Sequence, residues 1–398
     1  MSIPDFHAII PAGGAGTRLW PLSRVSRPKF LNDLLGEGRT MIQATVDRLR
    51  PLAGSQILIV TGEKHLRAIS EQLPNLQEEN FITEPSGRDS MAAIGLAAAV
   101  LHERHGECVV GSFAADHHIK DTAAFQRAVT AAIESARTGA LVTVGITPDY
   151  PATGFGYIHA AGKTEFVAHR VQAFVEKPAV EVAEEYFASQ EYFWNAGMFL
   201  GLTSTILQAL EKYQPQLAAD IRALAKTWDT DLRGETLAEI WPGIQKIAID
   251  YAIAEPLAAD GGVEVVPVEM GWSDVGDYAS LAKLRAHLVA ESISGQNSVK
   301  TGKLDDVFDS SEKDAVNSSE KPEAKLNVPE LNVSDAQVTL LDSAGAFVVP
   351  GSKPIFVLGV PEAVVVETDD VIFVSTQEKA QRVKELVENL PVEYQDLK

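Results

Sequence analysis

The feature that most constrains the fold is a glycine-rich segment that follows an apolar run near the amino terminus. Residues 8–10 are typical of a buried strand, and residues 11–30 then read PAGGAGTRLWPLSRVSRPKF. Its glycines allow a sharp turn and let main-chain amides approach a ligand closely. Arg18 and Lys29 follow, and such cations suit an anion held by amide groups. The segment therefore predicts a phosphate-binding loop after a strand.

Two common phosphate loops are excluded by the spacing. A P-loop requires Gly-x-x-x-x-Gly-Lys-Ser/Thr, and no such string occurs in the chain. The dinucleotide fingerprint requires a third glycine at the position that Leu19 occupies. For residues 13–16 alone, a glycine-rich turn beside scattered surface cations remains an alternative. The ligand site is favoured by the continuation through Arg18, Pro21, Ser23, Pro28 and Lys29.

Residues 6–150 alternate short apolar runs with amphipathic segments. We expect strands at 57–61, 108–110 and 141–145, and helices at 40–50, 63–73, 89–104 and 121–137. This alternation predicts an α/β fold whose mostly parallel sheet is covered on both faces. Ligands of such sheets bind at the carboxyl ends of the strands, where the glycine-rich loop and Asp116 are expected.

Composition excludes several classes of protein. The net charge of −21 argues against a nucleic-acid-binding protein, which would present a basic face. The single cysteine, Cys108, excludes a disulfide framework within the chain and favours a reducing compartment. We find no signal peptide and no apolar stretch of membrane-spanning length, and therefore expect a cytoplasmic protein without a membrane partner. The oligomeric state stays open, with a homodimer among the options.

The carboxyl-terminal third changes character twice. Residues 300–335 mix acidic residues with serine, asparagine and proline, which predicts a disordered acidic insertion. Short β-like runs follow at 337–341, 346–349, 355–359, 363–367 and 371–375, and then an amphipathic helix at 377–390. We therefore expect a large α/β domain at 1–290, the insertion at 300–335, and a small β-domain with a terminal helix at 336–398.

Two aspartates are candidate metal ligands. Asp116 ends the apolar segment that begins at residue 108, and a buried acid is costly unless it is paired or bound to metal. Capping of the following helix is the alternative. Asp274, in the string GWSDVGD, is the second candidate, since Mg²⁺ favours one or two carboxylates plus phosphate oxygens. The adjacent His117 and His118 are poor partners for a tetrahedral zinc ion, and we interpret them as supporting residues.

The string at residues 11–30 resembles the signature of the sugar-1-phosphate nucleotidyltransferases, and its WPLSR portion is similar to their mannose-1-phosphate guanylyltransferase branch. Other family-like strings are EPSGRDS at 84–90, TGFGYI at 153–158, FVEKP at 174–178, WNAGMF at 194–199 and IDYAIAE at 249–255. In isolation some have ordinary alternatives, such as helix capping by Ser86 or Asp89. The chain has Arg88-Asp89-Ser90 where the family commonly has Arg-Asn-Thr, a departure that concerns the base contacts.

The resemblance implies a Rossmann-like mixed sheet of the nucleotide-diphospho-sugar transferase type and a C-terminal short left-handed β-helix. It implies that Arg18 and Lys29 are catalytic contacts of a triphosphate and that Asp116 and Asp274 bind Mg²⁺. The implied sugar-phosphate contacts are Gly156, Glu176, Lys177 and Asn195. The implied nucleotide contacts are Ala12, Gly13, Gly14, Gly16, Thr17, Glu84, Pro85 and Gly87.

The activity implied by the resemblance is transfer of GMP from GTP to α-D-mannose 1-phosphate, giving GDP-mannose and pyrophosphate. Two alternatives remain at this point. One is a related nucleotidyltransferase with another base or hexose, and the other is a non-catalytic subunit that binds nucleotide sugar. Some members of this family also carry a sugar-phosphate isomerase domain, and we expect no such activity because the sequence stops after the small β-domain.

Overall fold

The structure, a computed structural model, describes residues 2–300 and 337–398. It divides into two compact units. The first comprises Met1–Ala15 and Val25–Asp274, and the second comprises Gly16–Arg24 and Val275–Lys398. The acidic insertion expected at 300–335 lies, apart from its first residue, outside the described residues.

The first unit alternates strands and helices along most of its length. Its strands and helices are, in chain order, β1 (Phe6–Ala12), α1 (Met41–Ala53), β2 (Ile57–Gly62), α2 (Glu63–Gln72), β3 (Phe81–Glu84), α3 (Asp89–His105), β4 (Val109–Ser112), β5 (His118–Ile119), α4 (Thr122–Ala136), β6 (Leu141–Ile146), β7 (Tyr157–Ala160), β8 (His169–Val175), α5 (Val180–Ser189), β9 (Tyr192–Leu202), α6 (Thr203–Tyr213), α7 (Pro215–Thr227), α8 (Arg233–Ile240), α9 (Glu255–Ala259), β10 (Val263–Val268) and β11 (Trp272–Ser273). This pattern confirms the α/β fold.

Nine of these strands form one mixed sheet in the order β3-β2-β1-β4-β9-β6-β10-β8-β7. Strands β8 and β9 run in the opposite direction to the others. Seven of the nine strands therefore run in one direction, and the sheet is mixed, as the family resemblance implies. The carboxyl ends of β1, β2, β3 and β4 consequently lie along one edge, which carries the glycine-rich loop and the segment with Asp116.

The core consists of two apolar layers, one on each face of the sheet. Along β1, Phe6, Ala8 and Ile10 belong to one layer and Ile9 to the other, as the alternation of side chains in a strand requires. Helices α1 and α4 contribute to the first layer, and α3, α6 and α7 to the second. Because both faces are covered, the central strands are continuous apolar runs.

The second unit combines the segment Gly16–Arg24, helix α10 (Tyr278–Lys300) and a small β-domain. The strands of this domain are β12 (Val338–Leu341), β13 (Phe347–Val349), β14 (Ile355–Leu358), β15 (Ala363–Glu367) and β16 (Ile372–Thr376). Strands β12 and β14 pair in parallel, as do β13 and β15, whereas β16 is antiparallel to β15. Parallel pairing between alternate strands is the pattern of stacked β-helical turns.

The prediction of one helix at 377–390 is wrong. A 3₁₀ segment, Gln377–Arg382, precedes a six-residue α-helix, α11 (Val383–Glu388). The first residue is held by its main-chain N–H, which donates to Glu362 O, and by its amide, which donates to Gly345 O. Pro391 disfavours helical geometry at the residue before it, so α11 ends early.

Among the described residues, no helix has the length and apolar character needed to cross a bilayer.

Gly145 offers a test of the packing between β6 and its neighbours. The pairing of β6 with β9 shifts register next to this residue, and a Cβ there would lie 2.6 Å from Val265 Cγ2 and 2.9 Å from Phe193 Cβ. We expect Gly145→Ala to lower the free energy of unfolding by about 1–3 kcal/mol, measured by urea denaturation, because the crowded atoms must shift. The control is Gly234→Ala on exposed α8, where an added Cβ meets no described atom within 4 Å. If both variants had the same midpoint of urea unfolding, the tight packing around Gly145 would be contradicted.

Candidate active site

The first part of the glycine-rich loop leaves its backbone open. Ala12 ends β1, and its carbonyl accepts a hydrogen bond of 2.7 Å from Thr61 Oγ1. At Gly13 and Gly14 an added Cβ would meet no described atom within 4 Å, and neither residue has a positive φ. Neither packing against described residues nor a positive φ requires glycine there, and the lack of a side chain leaves this stretch of backbone open to close approach.

The second part of the loop belongs to the second unit. Gly16 adopts a φ of 65°, which favours glycine, and its carbonyl accepts a hydrogen bond from Ser23 Oγ. Thr17 begins a single 3₁₀ turn, Thr17–Leu19, that carries Arg18. The Arg18 side chain is exposed, and its Nη1 donates to Gln381 Oε1 over 3.0 Å. The sequence reasoning missed Gln381, because an isolated glutamine in a terminal segment gives no signal.

Lys29 connects the two candidate metal ligands of the first unit. Its side chain is only 6% exposed, and its Nζ lies 2.9 Å from Asp116 Oδ2. The same Nζ donates to the main-chain carbonyl of Asp274. The antiparallel pairing of β5 with β11, which sets Ser273 opposite His118, explains how these distant segments converge. The structure thus brings Lys29, Asp116 and Asp274 together.

Electrostatics favour an ionised Asp116. Burial raises the pKa of this carboxyl, but Lys29, His117 and a main-chain hydrogen bond together lower it more, so the net pKa lies below its ordinary value. Helix capping does not explain the residue, because the cap of α4 is Asp121, whose carboxylate accepts from Ala124 N at 2.8 Å. Asp116 is therefore an available anion held next to a buried cation.

The two neighbouring histidines support the site rather than titrate in it. Trp272 Nε1 donates to His117 Nδ1 over 3.1 Å, and burial lowers the pKa of His117 to about 4. Burial also lowers the pKa of His118 to about 4. The described residues contain no group of three or more His, Cys, Asp or Glu placed to hold a metal ion.

A pocket of about 320 Å³ opens in the first unit at the carboxyl ends of the central strands. Three aromatic rings, those of Phe155, Trp194 and Trp272, form an apolar group beside it, with the first ring 5.1 Å from each of the other two. Sequence reasoning missed Trp272, although it lies in the same string as Asp274. The lining includes Pro11, Ser112, His117, Phe155, Gly156, Glu176, Asn195, Asp250, Trp272 and Asp274.

The sugar-side candidates converge at this pocket. Asn195, on β9, donates from its main-chain N to Gly156 O at 2.8 Å and from Nδ2 to Asp250 Oδ1 at 2.6 Å. A Cβ on Gly156 would overlap Glu176 Oε2, so a side chain there would displace that carboxylate from its present position. The glycine therefore lets the Glu176 carboxylate lie in the lining of the pocket.

Lys177 provides the cation on this side. Its Nζ lies 2.5 Å from Glu176 Oε1, its φ is 46°, and its side chain is 61% exposed. Burial and the nearby charge of Glu176 raise the pKa of Asp250. The exposed ammonium therefore lies beside carboxylates and remains accessible to an anionic ligand.

The loop after β3 is held by main-chain contacts. The carbonyl of Ser86 accepts from Trp241 Nε1 at 2.9 Å, while Pro85 and Gly87 are exposed. At the start of helix α3, Asp89 Oδ1 accepts a hydrogen bond of 2.9 Å from Ser90 N, so the capping alternative applies to Asp89, whereas Ser86 contributes only its carbonyl, to Trp241. The first turn of α3 is also tied to the segment 247–249, since Met91 N donates to Ile247 O.

Glu84, the last residue of β3, is buried, and among the described residues its Oε1 has no hydrogen-bond partner. Burial raises the pKa of this carboxyl to about 7. An unsatisfied buried oxygen is costly and is expected where a ligand completes the contacts.

Comparison with known proteins places the site in a family context. A family model described as nucleotidyl transferase matches residues 7–291, and one described as a MannoseP isomerase/GMP-like beta-helix domain matches residues 336–390. The second match confirms the β-helix expected in the C-terminal domain.

Relatives with assigned names cover most of the chain. Mannose-1-phosphate guanylyltransferase ManC of Salmonella typhimurium is 35% identical over 96% of this chain and 73% of its own length. The xanthan biosynthesis protein XanB of Xanthomonas campestris is 36% identical over 97% of this chain and 73% of its own. A crystal structure from Thermus thermophilus, titled mannose-1-phosphate geranyltransferase, has a TM-score of 0.74 at 27% identity and covers 96% of this chain and 98% of its own.

The buried Glu84 generates a pH-dependent prediction. In the unfolded chain it ionises near the ordinary value of 4.5, whereas in the fold its pKa is about 7. Its stabilising contribution is therefore complete below pH 4.5 and is lost as pH rises through 7. We expect Glu84→Gln to become steadily more stable relative to the native chain between pH 5 and pH 8, measured by urea unfolding at each pH. A difference that is constant across this range would show that the carboxyl is solvated.

Proposed function

The chain belongs to the nucleotidyl transferase family, and from this premise we propose that it transfers GMP from GTP to α-D-mannose 1-phosphate, giving GDP-mannose and pyrophosphate. One observation carries the proposal: Lys29, Asp116 and Asp274 meet beside a pocket that Glu176 and Asn195 also line. Such a transfer requires a cation placed to contact phosphate and a pocket that binds sugar hydroxyls. The names of the relatives supply the identity of base and hexose.

The chemistry demands positioning more than proton transfer. A sugar phosphate is already a competent nucleophile at neutral pH, so no general base is needed. The protein must align one phosphate oxygen with the α-phosphorus and neutralise two mutually repelling anions. The acidic chain, with a net charge of −21, opposes both anions at long range, so local cations must attract them.

The nucleotide side of the proposal uses the glycine-rich loop and the loop after β3. Open amides at Gly13 and Gly14 bind phosphate oxygens, and Arg18 and Lys29 neutralise the charge that develops on departing pyrophosphate. The buried oxygen of Glu84 receives a donor from the base. The other proposed nucleotide contacts are Ala12, Gly16, Thr17, Pro85 and Gly87.

The sugar side of the proposal uses the rim of the pocket. Lys177 holds the attacking phosphate, and Glu176 accepts hydrogen bonds from hexose hydroxyls. Asn195 Oδ1 accepts from Thr143 Oγ1 and from Gly197 N, while one proton of Nδ2 is donated to Asp250. The second proton of Nδ2 remains for a hexose hydroxyl.

We propose Mg²⁺ as the cofactor, bound by Asp116 and Asp274. The donor set fits, because Mg²⁺ takes one or two carboxylates and completes its shell with water and phosphate oxygens, so no larger cluster is required. The lowered pKa of Asp116 supplies an ionised ligand. When bound, the ion would neutralise charge on the phosphate oxygens.

Pyrophosphate release by the purified protein tests the proposed reaction. The assay pairs each of GTP, ATP, UTP, CTP and dTTP with mannose 1-phosphate and with glucose 1-phosphate. We expect the highest kcat/KM for GTP with mannose 1-phosphate. Higher activity with another pair would reassign the substrates, and binding of nucleotide sugar without turnover in any pair would indicate a non-catalytic subunit.

The proposed metal ligands are tested by replacing each with its neutral amide. We expect Asp116→Asn and Asp274→Asn to lower kcat by several orders of magnitude while thermal unfolding stays cooperative, because charge neutralisation by a metal contributes several kcal/mol to the transition state. The exposed Asp231→Asn serves as the control for loss of one negative charge and should retain full turnover. Near-native turnover in both site variants would remove these aspartates from the site.

The two lysines are tested by separate titrations of each substrate. Lys177→Ala should raise the KM for mannose 1-phosphate about tenfold to a hundredfold, because a charge-assisted contact contributes about 1.5–3 kcal/mol, and should change the KM for GTP much less. Lys29→Ala should chiefly impair GTP use and kcat, since its contact strengthens as charge develops on pyrophosphate. The exposed Lys163→Ala controls for loss of a surface charge. If Lys177→Ala mainly weakened GTP binding, the assignment of the two sides would be wrong.

A further inference from the structure

We propose that Gln381, in the C-terminal β-domain, is a positioning residue that orients Arg18 before substrate binds. The proposal rests on the proposed function, in which Arg18 contacts the triphosphate. It gives the β-domain a part in the reaction that neither the family model nor the names of the relatives describe.

The contact joins residues that are 363 positions apart in the chain but belong to the same unit. Arg18 Nη1 donates to Gln381 Oε1 over 3.0 Å, and Gln381 Nε2 donates to Asp277 Oδ2. Arg18 is exposed, whereas Asp277 is 8% exposed. The glutamine therefore connects a solvent-facing cation to a buried carboxylate.

Asp277 fixes which way the amide of Gln381 points. Its Oδ1 accepts from Ser280 N at 2.9 Å and from Ser280 Oγ at 3.0 Å, at the start of α10. A carboxylate only accepts hydrogen bonds, so it requires the NH₂ group of the glutamine. Reversal of the amide would place oxygen against carboxylate and NH₂ against guanidinium, two repulsive contacts. The amide oxygen consequently faces Arg18.

Comparison with Arg24 in the same segment indicates why a neutral acceptor is suitable. Arg24 forms a two-pronged ion pair with Asp370, with N–O distances of 2.5 and 2.6 Å, and its charge is thereby neutralised. Arg18 receives an uncharged amide oxygen instead. An amide oxygen brings no negative charge to this guanidinium, and the contact uses one of its five N–H donors. The contact with Gln381 therefore orients the Arg18 side chain without neutralising its charge.

The backbone of this segment is held by other residues. Trp20 Nε1 donates to Leu397 O at 2.7 Å, and Tyr278 Oη donates to Leu19 O at 3.0 Å. The rings of Trp20 and Phe373 pack edge to face with centroids 5.9 Å apart. Loss of the Gln381 amide should therefore release the Arg18 side chain while the loop keeps its fold.

The first experiment replaces Gln381 with methionine, which keeps the side-chain volume but removes the acceptor and the donor. We expect Gln381→Met to lower kcat/KM for GTP about threefold to tenfold, the equivalent of one neutral hydrogen bond, and to leave the KM for mannose 1-phosphate within about twofold. Gln377→Met is the matched control. It lies in the same 3₁₀ segment and its amide donates to Gly345 O at 2.7 Å, so GTP kinetics should stay at the native level.

A double-mutant cycle separates positioning from a structural effect. Arg18→Ala should impair GTP use, and adding Gln381→Met should cause no further loss, because the glutamine acts through the arginine. An equal loss with and without Arg18, or a parallel rise in both KM values with a lower Tm, would overturn the proposal by indicating a structural role.

Three further outcomes distinguish this proposal from the proposed function. If Gln381→Met behaves like the native chain while Arg18→Ala is impaired, the positioning role fails and the proposed function stands. If Arg18→Ala is itself unimpaired, the positioning role fails together with the assignment of Arg18, while turnover by the native chain still supports the reaction. If the native chain neither binds GTP in calorimetry nor releases pyrophosphate, both proposals fail.

Discussion

The buried ammonium of Lys29 is the constraint on which the candidate site depends. A charge removed from water costs several kcal/mol unless it is paired and hydrogen-bonded. Lys29 meets this requirement through an ion pair with Asp116 and a hydrogen bond to the main-chain carbonyl of Asp274. Three segments that are distant in the sequence must therefore come together when the chain folds. The pairing of β5 with β11 provides the backbone route for that convergence. The positive charge of Lys29 that brings these segments together is also the charge that the proposed reaction needs to neutralise phosphate.

The sheet was predictable because its central strands are buried on both faces. Continuous apolar runs at 57–61 and 141–145 correspond to β2 and β6, and helices α2 and α4 between them have apolar periodicity, whereas α3 is apolar all round. The pairing of Lys29 with Asp116 was not predictable in the same way. Contacts between residues that are far apart in the sequence leave no local pattern. The resemblance to a family therefore identified Lys29 and Asp116 as site residues but did not indicate that they pair with each other.

Predictions were least accurate where the pattern was short or the partner distant. The described segment 377–388 buries only Ala380, Val383 and Val387, which is little apolar contact to hold a long α-helix, and its first six residues form a 3₁₀ segment. Capping by Asp116 was a local explanation for a residue whose actual contact, with Lys29, is long-range. Gln381 carried no signal, since its importance depends entirely on Arg18 and Asp277.

The assignment of Gly16–Arg24 to the second unit has a consequence for synthesis of the chain. Trp20 emerges from the ribosome early, but the carbonyl that accepts its indole N–H belongs to a residue 377 positions later. At roughly 5–20 residues per second, that partner follows after on the order of tens of seconds. During this interval the segment with Arg18 lacks its supports. A nascent chain would therefore complete its nine-stranded sheet before the supports of its phosphate loop, and nucleotide binding would begin only after the C-terminal β-domain has been made.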